Sequence, residues 1–222
     1  IRELIMHNAS TQVLRAEALK RGMRTLRHSG LLAIFDGTTT TQLTTNSYHD
    51  FDPQISGNNV AWWAQTGGDA TTREIFYYNG TTTIPVTNDA IRDELPSISG
   101  SRIVWQHGTG TGFETYYYDG GTPENISNNA VADRHMQING TKAVWVNNST
   151  VPNINIWQYD AVTDITSPLT TDGINKENPQ VHGSNVTWEG NDGDREIYFH
   201  DGLKKKKLTT NKYVDRNTQE WK

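Results

Sequence analysis

The 222-residue chain contains no cysteine. This absence excludes disulfide bonds, thiolate metal sites and cysteine nucleophiles, and it leaves the redox compartment open. Long apolar runs are also missing: no stretch of 18 apolar residues occurs, so the sequence predicts no membrane-spanning helix. Only 34% of the residues are hydrophobic and the mean hydropathy is −0.70, which is typical of short alternating strands joined by polar turns.

Basic residues are scarce beyond the first 36 positions. That segment has six basic and three acidic side chains, whereas the remainder has 14 and 22, so the whole chain carries a net charge of −5. An acidic repeat region lacks the lysines and arginines that neutralise phosphates, and no nucleic-acid partner is expected. The first residues have no apolar core, which predicts that no signal peptide is present. Because the chain does not begin with Met, we expect a fragment or a processed form.

One motif recurs four times along the chain: an apolar residue, then Ser, Asn or His, then Gly, two further residues and an apolar run that ends in Trp. The tryptophans are Trp62, Trp105, Trp145 and Trp188, spaced 43, 40 and 43 residues apart. A period in the low forties is that of a four-stranded propeller blade. Asn-Gly or Asp-Gly pairs at 79–80, 119–120 and 201–202 indicate hairpin turns. We therefore predict an all-β fold, a β-propeller of four-stranded blades.

The repeats predict four complete blades, with first strands that begin at Pro53, Pro96, Met136 and Pro179. Residues 32–45 look like the last two strands of a preceding unit, and residues 217–221 look like the first strand of a following one. An open ring would leave unpaired edges, so we predict a fifth, incomplete blade shared by both termini. Residues 1–34 have apolar positions near a 3.6-residue period and are predicted to be a helical segment. The predicted domains are thus residues 1–34 and 35–222.

The repeat units resemble the TolB-type repeats of bacterial and archaeal surface and periplasmic propellers. The resemblance covers about residues 35–222 and rests on the proline element before the Gly turn at Asp50–Pro53, Glu94–Pro96 and Asn178–Pro179, on Glu-Ile-Phe-Tyr-Tyr-Asn-Gly at 74–80 and on Leu-Thr pairs such as 208–209. The third unit departs most, because His135 and Met136 replace the proline element and Ala161 replaces a turn glycine. The resemblance implies an interaction module in the periplasm or at the cell surface.

The first 40 residues carry a second resemblance, most specific in the run Gly22-Met23-Arg24-Thr25-Leu26-Arg27. This segment resembles the C-terminal end of the type II secretion and type IV pilus assembly ATPases. The phosphate-binding G-x-x-x-x-G-K-[ST] motif is absent, so no ATPase activity is carried over. The tetrapeptide at 36–39 fits both resemblances, which indicates a chimera, natural or constructed. The alternative is a native helix that caps the open blade.

No catalytic or metal-binding pattern stands out. The sequence has no G-x-S-x-G and no H-E-x-x-H motif, and its carboxylates show no pairing that indicates acid–base work. We therefore predict no enzyme activity, no cofactor and no metal. The recurring tryptophans are interpreted as wedges between neighbouring blades, with stacking against sugar rings as the alternative.

Polar loops supply the candidate binding face. The loops that join each fourth strand to the next first strand, and each second strand to the third, are expected at one end of the propeller, where ligands usually bind. We predict that this face is lined by Tyr48, His49, Asp50, Arg92, Asp93, Asp133, Arg134, Lys176 and Glu177. The alternative is that the repeated acidic positions brace adjacent blades.

The function predicted from the sequence is a non-enzymatic interaction module that binds a protein or a glycan at this loop face. One alternative is a structural repeat of a surface assembly, or a constructed chimera, that self-associates through the incomplete blade. A less favoured alternative is a lyase or hydrolase that uses residues of the central funnel.

Overall fold

The computed structural model describes residues 42–67, 72–110, 112–129, 131–148 and 154–210. The predicted helical segment, the strands of the shared fifth blade and the ATPase-like segment lie outside these ranges, apart from residues 42–45. Residues 46–222 form a compact unit distinct from residues 1–45. Within the described ranges every regular element is a β-strand. No helix in this part of the chain is long and apolar enough to cross a membrane.

The strands form four antiparallel sheets of four strands, each in sequence order. The first blade consists of β1 (His49–Ser56), β2 (Asn59–Gln65), β3 (Arg73–Tyr78) and β4 (Thr83–Pro85). The second consists of β5 (Asp93–Ser99), β6 (Arg102–His107), β7 (Glu114–Tyr118) and β8 (Glu124–Asn125). The third consists of β9 (Asp133–Asn139), β10 (Lys142–Asn147), β11 (Asn155–Asp160) and β12 (Ile165–Pro168). The fourth consists of β13 (Asn175–His182), β14 (Asn185–Asn191), β15 (Arg195–His200) and β16 (Lys205–Lys207).

The four sheets pack against one another in chain order. The first strand of each blade contacts the first strand of the next, from β1 to β5, β5 to β9 and β9 to β13. Four-stranded meanders that share an inner row of first strands are the blades of a propeller. The predicted all-β propeller with four complete blades is therefore confirmed.

Apolar side chains from two neighbouring blades form each interior. Trp105 packs between blades 1 and 2, Trp145 between blades 2 and 3, and Trp188 between blades 3 and 4. All three are buried, which confirms their interpretation as wedges. Trp63, which follows the repeat tryptophan of blade 1, lies on the opposite face of its sheet and joins Trp105.

The Gly turns of the repeat also join the blades by hydrogen bonds. The Gly100 amide donates to Ser56 Oγ of the preceding blade, Gly140 to Ser99 Oγ, and Gly183 to Asn139 Oδ1, each at 2.8 Å. The repeat glycines have φ between 57° and 62°, and a Cβ at these positions would meet no other atom. The glycine is thus required by the backbone conformation of the turn and not by crowding.

The first strands begin earlier than the sequence predicts, at His49, Asp93, Asp133 and Asn175. Each contains a β-bulge, where the pairing with the second strand shifts register. A residue with positive φ marks each bulge: Asp52, Leu95, His135 and Asn178. Three of these residues precede a proline, a combination that is typical of a loop. In the structure the two residues belong to the bulge, and the strand pairs with its neighbour on both sides of it.

The Leu-Thr element of the repeat continues the sheet beyond each short outer strand. The side-chain hydroxyl of Thr87 accepts the Ile75 amide at 2.8 Å, and Thr170 accepts the Ile156 amide at 3.0 Å. Ser127 and Thr209 make the same bond in blades 2 and 4. A buried amide without such an acceptor is destabilising, which explains why a hydroxyl residue recurs here.

We expect Ser99→Ala to lower the free energy of unfolding by about 1 kcal/mol, because it removes the acceptor of the Gly140 amide between blades 2 and 3. Urea unfolding followed by tryptophan fluorescence measures the change. Ser101→Ala, at an exposed position of the same blade, is the matched control and should leave the midpoint unchanged. Equal effects of the two substitutions would contradict a role for this bond.

Candidate functional site

The strand ends that flank the predicted binding loops lie together at one end of each blade. His49 pairs with Gln65, and Gln65 pairs with Arg73, so the start of β1, the end of β2 and the start of β3 lie together. The other blades repeat this arrangement. We call this side the loop end, and the opposite side, with the Gly turns, the turn end.

On blades 1 and 2 the loop end carries aromatic and charged side chains in contact. Phe51 stacks on Trp63 with ring centroids 4.2 Å apart, and the Arg73 guanidinium lies 4.5 Å from the Trp63 ring centroid. Phe51 is 39% exposed, whereas Trp63 is buried. Arg73 and Arg92 both form ion pairs with Glu94, the latter at 2.6 Å. A flat aromatic surface therefore lies next to a fixed group of charges.

On blades 3 and 4 the loop end is a network of ion pairs. Arg134 reaches across from blade 3 to Glu177 at 3.3 Å, and Arg195 contacts Glu177 at 3.6 Å and Glu189 at 2.8 Å. A small pocket lies beside this network, lined by Ile154, Asn175, Glu177, Glu189, Gly190, Asn191 and Arg195. We define the loop-end rim as Phe51, Trp63, Arg73, Arg92, Glu94, Arg134, Glu177, Glu189 and Arg195.

A cavity of about 300 Å³ lies along the bulges of the first three inner strands. Its lining comes from equivalent positions of blades 1, 2 and 3: Asp52, Gln54, Leu95, Pro96, Ser97, His135, Met136 and Gln137. Burial and then the charge of Arg134 lower the pKa of His135, so its imidazole is uncharged at neutral pH. The cavity thus offers mixed polar and apolar groups, with Asp52 held by the Trp63 indole N–H at 2.7 Å.

The predicted site residues divide into two groups. Tyr48, His49 and Asp50 are exposed, and Arg92, Arg134 and Glu177 are partly exposed. Arg134 and Glu177 are the pair that the fold brings into direct contact. Asp93, Asp133 and Lys176 are buried. Their role in binding remains a prediction, but they offer no surface to a macromolecule.

The buried aspartates make internal hydrogen bonds at the blade interfaces. Asp93 accepts the Trp105 indole N–H at 2.6 Å, and the more exposed Asp50 accepts that of Trp62 at 2.9 Å. Asp133 instead accepts the Thr115 hydroxyl and the Asn147 amide. Burial raises the pKa of Asp133 to about 6, although these hydrogen bonds lower it. The bond between Thr115 and Asp133 joins blades 2 and 3, as the alternative interpretation expects, whereas the indole bonds of Asp50 and Asp93 each stay within one blade.

Lys176 replaces the repeat aspartate in blade 4 and is only 1% exposed. Its ammonium group forms an ion pair with Asp172 and donates to the Ile174 carbonyl oxygen. Burial lowers the pKa of Lys176, against the effect of Asp172. Burial also acts to raise the pKa of Asp172, but hydrogen bonds from Lys176 and Lys205 outweigh it and lower that pKa to about 2. Lys176 is therefore held by a local carboxylate.

Sequence reasoning missed six of the nine rim residues: Phe51, Trp63, Arg73, Glu94, Glu189 and Arg195. Phe51, Glu94, Arg134 and Glu177 directly follow the first-strand positions Asp50, Asp93, Asp133 and Lys176. Alignment of the repeats at this position would have found Phe51 and Glu94. Arg73 and Arg195 begin third strands, and no sequence pattern connects them with residues of the first strands.

No protein-family model and no curated protein matches this sequence. Among solved structures, the chain is similar to a TolB of Agrobacterium tumefaciens, with 15% identity, a TM-score of 0.54, and coverage of 71% of this chain and 64% of that one. The β-propeller domain of the Trilobed protease of Pyrococcus furiosus has 13% identity and a TM-score of 0.58, with coverage of 78% and 57%. Acylaminoacyl peptidase of Pyrococcus horikoshii has 12% identity and a TM-score of 0.57, with coverage of 76% and 28%.

These similarities establish the fold, a TolB-like β-propeller. The chain spans less than two thirds of the length of each of these three proteins. They also include both a TolB and peptidases, and at such identities the fold does not separate a binding module from the propeller of an enzyme.

We expect the Asp172–Lys176 pair to stabilise the fold by roughly 1–2 kcal/mol at pH 7, a value reduced for the partial exposure of Asp172. Because the pKa of Asp172 is about 2 in the folded chain and higher in the unfolded chain, this stability is present above about pH 4. It is lost as the pH falls from about 4 to 2. Asp172→Asn should therefore unfold at lower urea than wild type at pH 7, and the difference should disappear near pH 2.

The control is Asp119→Asn, at an exposed turn, which should follow the wild-type curve at both pH values. A difference between Asp172→Asn and wild type that is the same at pH 7 and pH 2 would show that the carboxylate charge is not responsible.

Proposed function

We propose that this chain is a non-enzymatic interaction module that binds a protein partner with the loop-end rim. The TolB-like propeller fold supports an interaction role. The exposed Phe51 ring on the buried Trp63 is the observation that carries the proposal, because it is a large apolar group held rigidly at the surface. The resemblance of the repeats to exported propellers supports a periplasmic or cell-surface location.

The composition of the rim favours a protein partner. Protein interfaces are enriched in aromatic residues and arginine, and their strongest contacts are aromatic or arginine side chains surrounded by polar groups. The rim has four arginines and two aromatic residues, and its ion pairs fix the arginines in position. Surface ion pairs of this kind contribute about 1 kcal/mol or less to stability, so their recurrence at one end of the propeller is better explained by recognition than by folding.

Two other sequence-based hypotheses stay open. A glycan could stack on Phe51, and self-association through an incomplete blade would concern residues outside the described ranges. The secretion-ATPase-like segment and the chimeric origin also concern those residues, and they remain predictions from the sequence. The predicted absence of enzyme activity is part of the present proposal.

Site-specific photo-crosslinking tests the proposal. We would place p-benzoylphenylalanine at Tyr48, on the exposed loop end, and at Leu203, which is 88% exposed at the turn end. In an extract of the source cells, the loop-end probe should capture one defined protein that the turn-end probe does not capture. Phe51→Ala should weaken that capture at least about tenfold, since an interface anchor contributes about 2 kcal/mol or more.

Val162→Ala, an exposed apolar residue of a turn-end loop, is the matched control and should leave the capture unchanged. The proposal is wrong if both probes capture the same proteins, or if Phe51→Ala has no effect. A glycan array probed with the whole chain addresses the sugar hypothesis: a defined sugar that depends on Phe51 would replace the protein partner.

A further inference from the structure

Three ionisable side chains meet at the interface of blades 1 and 2. Asp89, Asp93 and His107 each place one potential ligand atom within 4.8 Å of the others. Glu74, from the third strand of blade 1, adjoins them, because its Oε1 accepts the Asp89 amide at 3.1 Å. Three carboxyl groups and one imidazole thus share a small volume at the loop end of this interface.

This cluster has buried oxygen atoms without hydrogen-bond donors. Asp93 is 0% exposed, and its Oδ1 contacts His107 Nδ1 at 2.8 Å and the Trp105 indole, whereas its Oδ2 has no partner. Glu74 is 2% exposed, and its Oε2 also has no partner. Burial raises the pKa of Asp93 and raises that of Glu74 to about 7. Burial acts to lower the pKa of His107, but its hydrogen bond with Asp93 and the nearby carboxyl charges outweigh this effect and raise that pKa. One imidazole thus faces the carboxyl groups of Asp89, Asp93 and Glu74, so negative charge is in excess at this interface.

The same positions in blade 3 are fully hydrogen bonded. Asn129, Asp133 and Asn147 replace Asp89, Asp93 and His107, and the Asn147 amide donates to both of the others. Thr115 donates its hydroxyl to the second oxygen of Asp133, whereas Ile75 stands at the position of Thr115 beside Asp93. Blade 3 therefore satisfies its aspartate with neutral donors that blade 2 lacks.

In blade 4 the same position already holds a cation. The buried Lys176 ammonium occupies the place of Asp93 and pairs with Asp172, which corresponds to Asp89. The interface of blades 3 and 4 therefore accommodates a buried positive charge at the position that Asp93 occupies in blade 2. Blade 2 keeps the partner carboxylate but has an aspartate in place of the lysine, so a single imidazole, that of His107, stands against an additional carboxylate.

We propose that Asp89, Asp93 and His107 bind a divalent transition-metal ion, with Glu74 as a neighbouring carboxylate that completes or supports the ligand set. Imidazole and carboxylate oxygens together are the ligands of Zn²⁺ sites, and thiolates are not required. This site was not predicted from the sequence, because the three residues follow no metal-binding spacing.

The geometry requires only local adjustment. Zinc–ligand bonds of about 2.0–2.2 Å in a tetrahedron place ligand atoms about 3.3–3.6 Å apart, so ligand atoms up to 4.8 Å apart must approach by about 1.5 Å at most. His107 Nδ1 and Asp93 Oδ1, which are 2.8 Å apart, must instead separate by about 0.5–0.8 Å if both bind the ion. Asp89 is exposed, which gives an ion access from solvent. The proton shared by His107 and Asp93 leaves when the metal binds, because the ligands must be deprotonated.

The test is metal retention by the full chain. We would incubate the metal-free protein with Zn²⁺, remove free metal by gel filtration and measure zinc by mass spectrometry. Wild type should retain about one zinc more per chain than Asp89→Asn/His107→Asn, and zinc should raise the melting temperature of wild type but not of this double variant. The double variant recreates the asparagine–aspartate–asparagine set of blade 3 and is expected to fold.

The matched control is Asp119→Asn/His182→Asn, which removes an exposed aspartate and an exposed histidine away from the cluster. It should retain as much zinc as wild type. Asp89→Asn alone, at an exposed position, gives a second test that does not depend on the tolerance of the interior to change. Equal zinc in wild type and both Asp89 variants would overturn the proposal, and selective retention of Ca²⁺ or Mg²⁺ in a parallel experiment would overturn the class of ion.

Discussion

The structure depends on the burial of a tryptophan from each of blades 2, 3 and 4 against the blade before it. A four-stranded sheet has two faces, and neither is covered by its own strands, so a single blade would leave Trp105 or Trp145 in water. Packing of successive blades removes this surface and aligns the inner strands. The Ser–Gly hydrogen bonds then fix the distance between the turns of adjacent blades. The arrangement of the loop end follows from these contacts.

Near the loop end, each blade interface must also accommodate a polar position of the first strand, and the chain does this in three ways. Asp133 is satisfied by amide and hydroxyl donors, Lys176 by a carboxylate, and Asp93 in part by an indole and an imidazole. The apolar packing next to these positions is nearly constant. The blades therefore differ chemically at these polar first-strand positions and on the loop-end rim, while the buried tryptophans maintain the fold.

Much of the fold could be predicted because its signals are local. Turn glycines and alternating strands belong to single hairpins, and the turns predicted at 79–80, 119–120 and 201–202 do lie between the third and fourth strands of their blades. The first strands were predicted to start three or four residues late, since Leu95-Pro96 and Asn178-Pro179 look like loops until pairing on both sides of the bulge is known. That error placed Asp93 and Lys176 in exposed loops, although they are buried at blade interfaces.

The sequence by itself determined the architecture, because a repeated blade can bury its faces only against another copy. Tertiary structure decided which side chains of different blades meet. Arg134 and Glu177 occupy equivalent positions of adjacent repeats, 43 residues apart, but only the packing of the blades shows that their side chains meet. Asp89 and His107 occupy different positions of the repeat, and no periodicity connects them. The neighbouring blade also decides whether a buried aspartate is fully hydrogen bonded. Thr115 of blade 2 donates to the second oxygen of Asp133, whereas Ile75 of blade 1 has no hydroxyl to offer the second oxygen of Asp93.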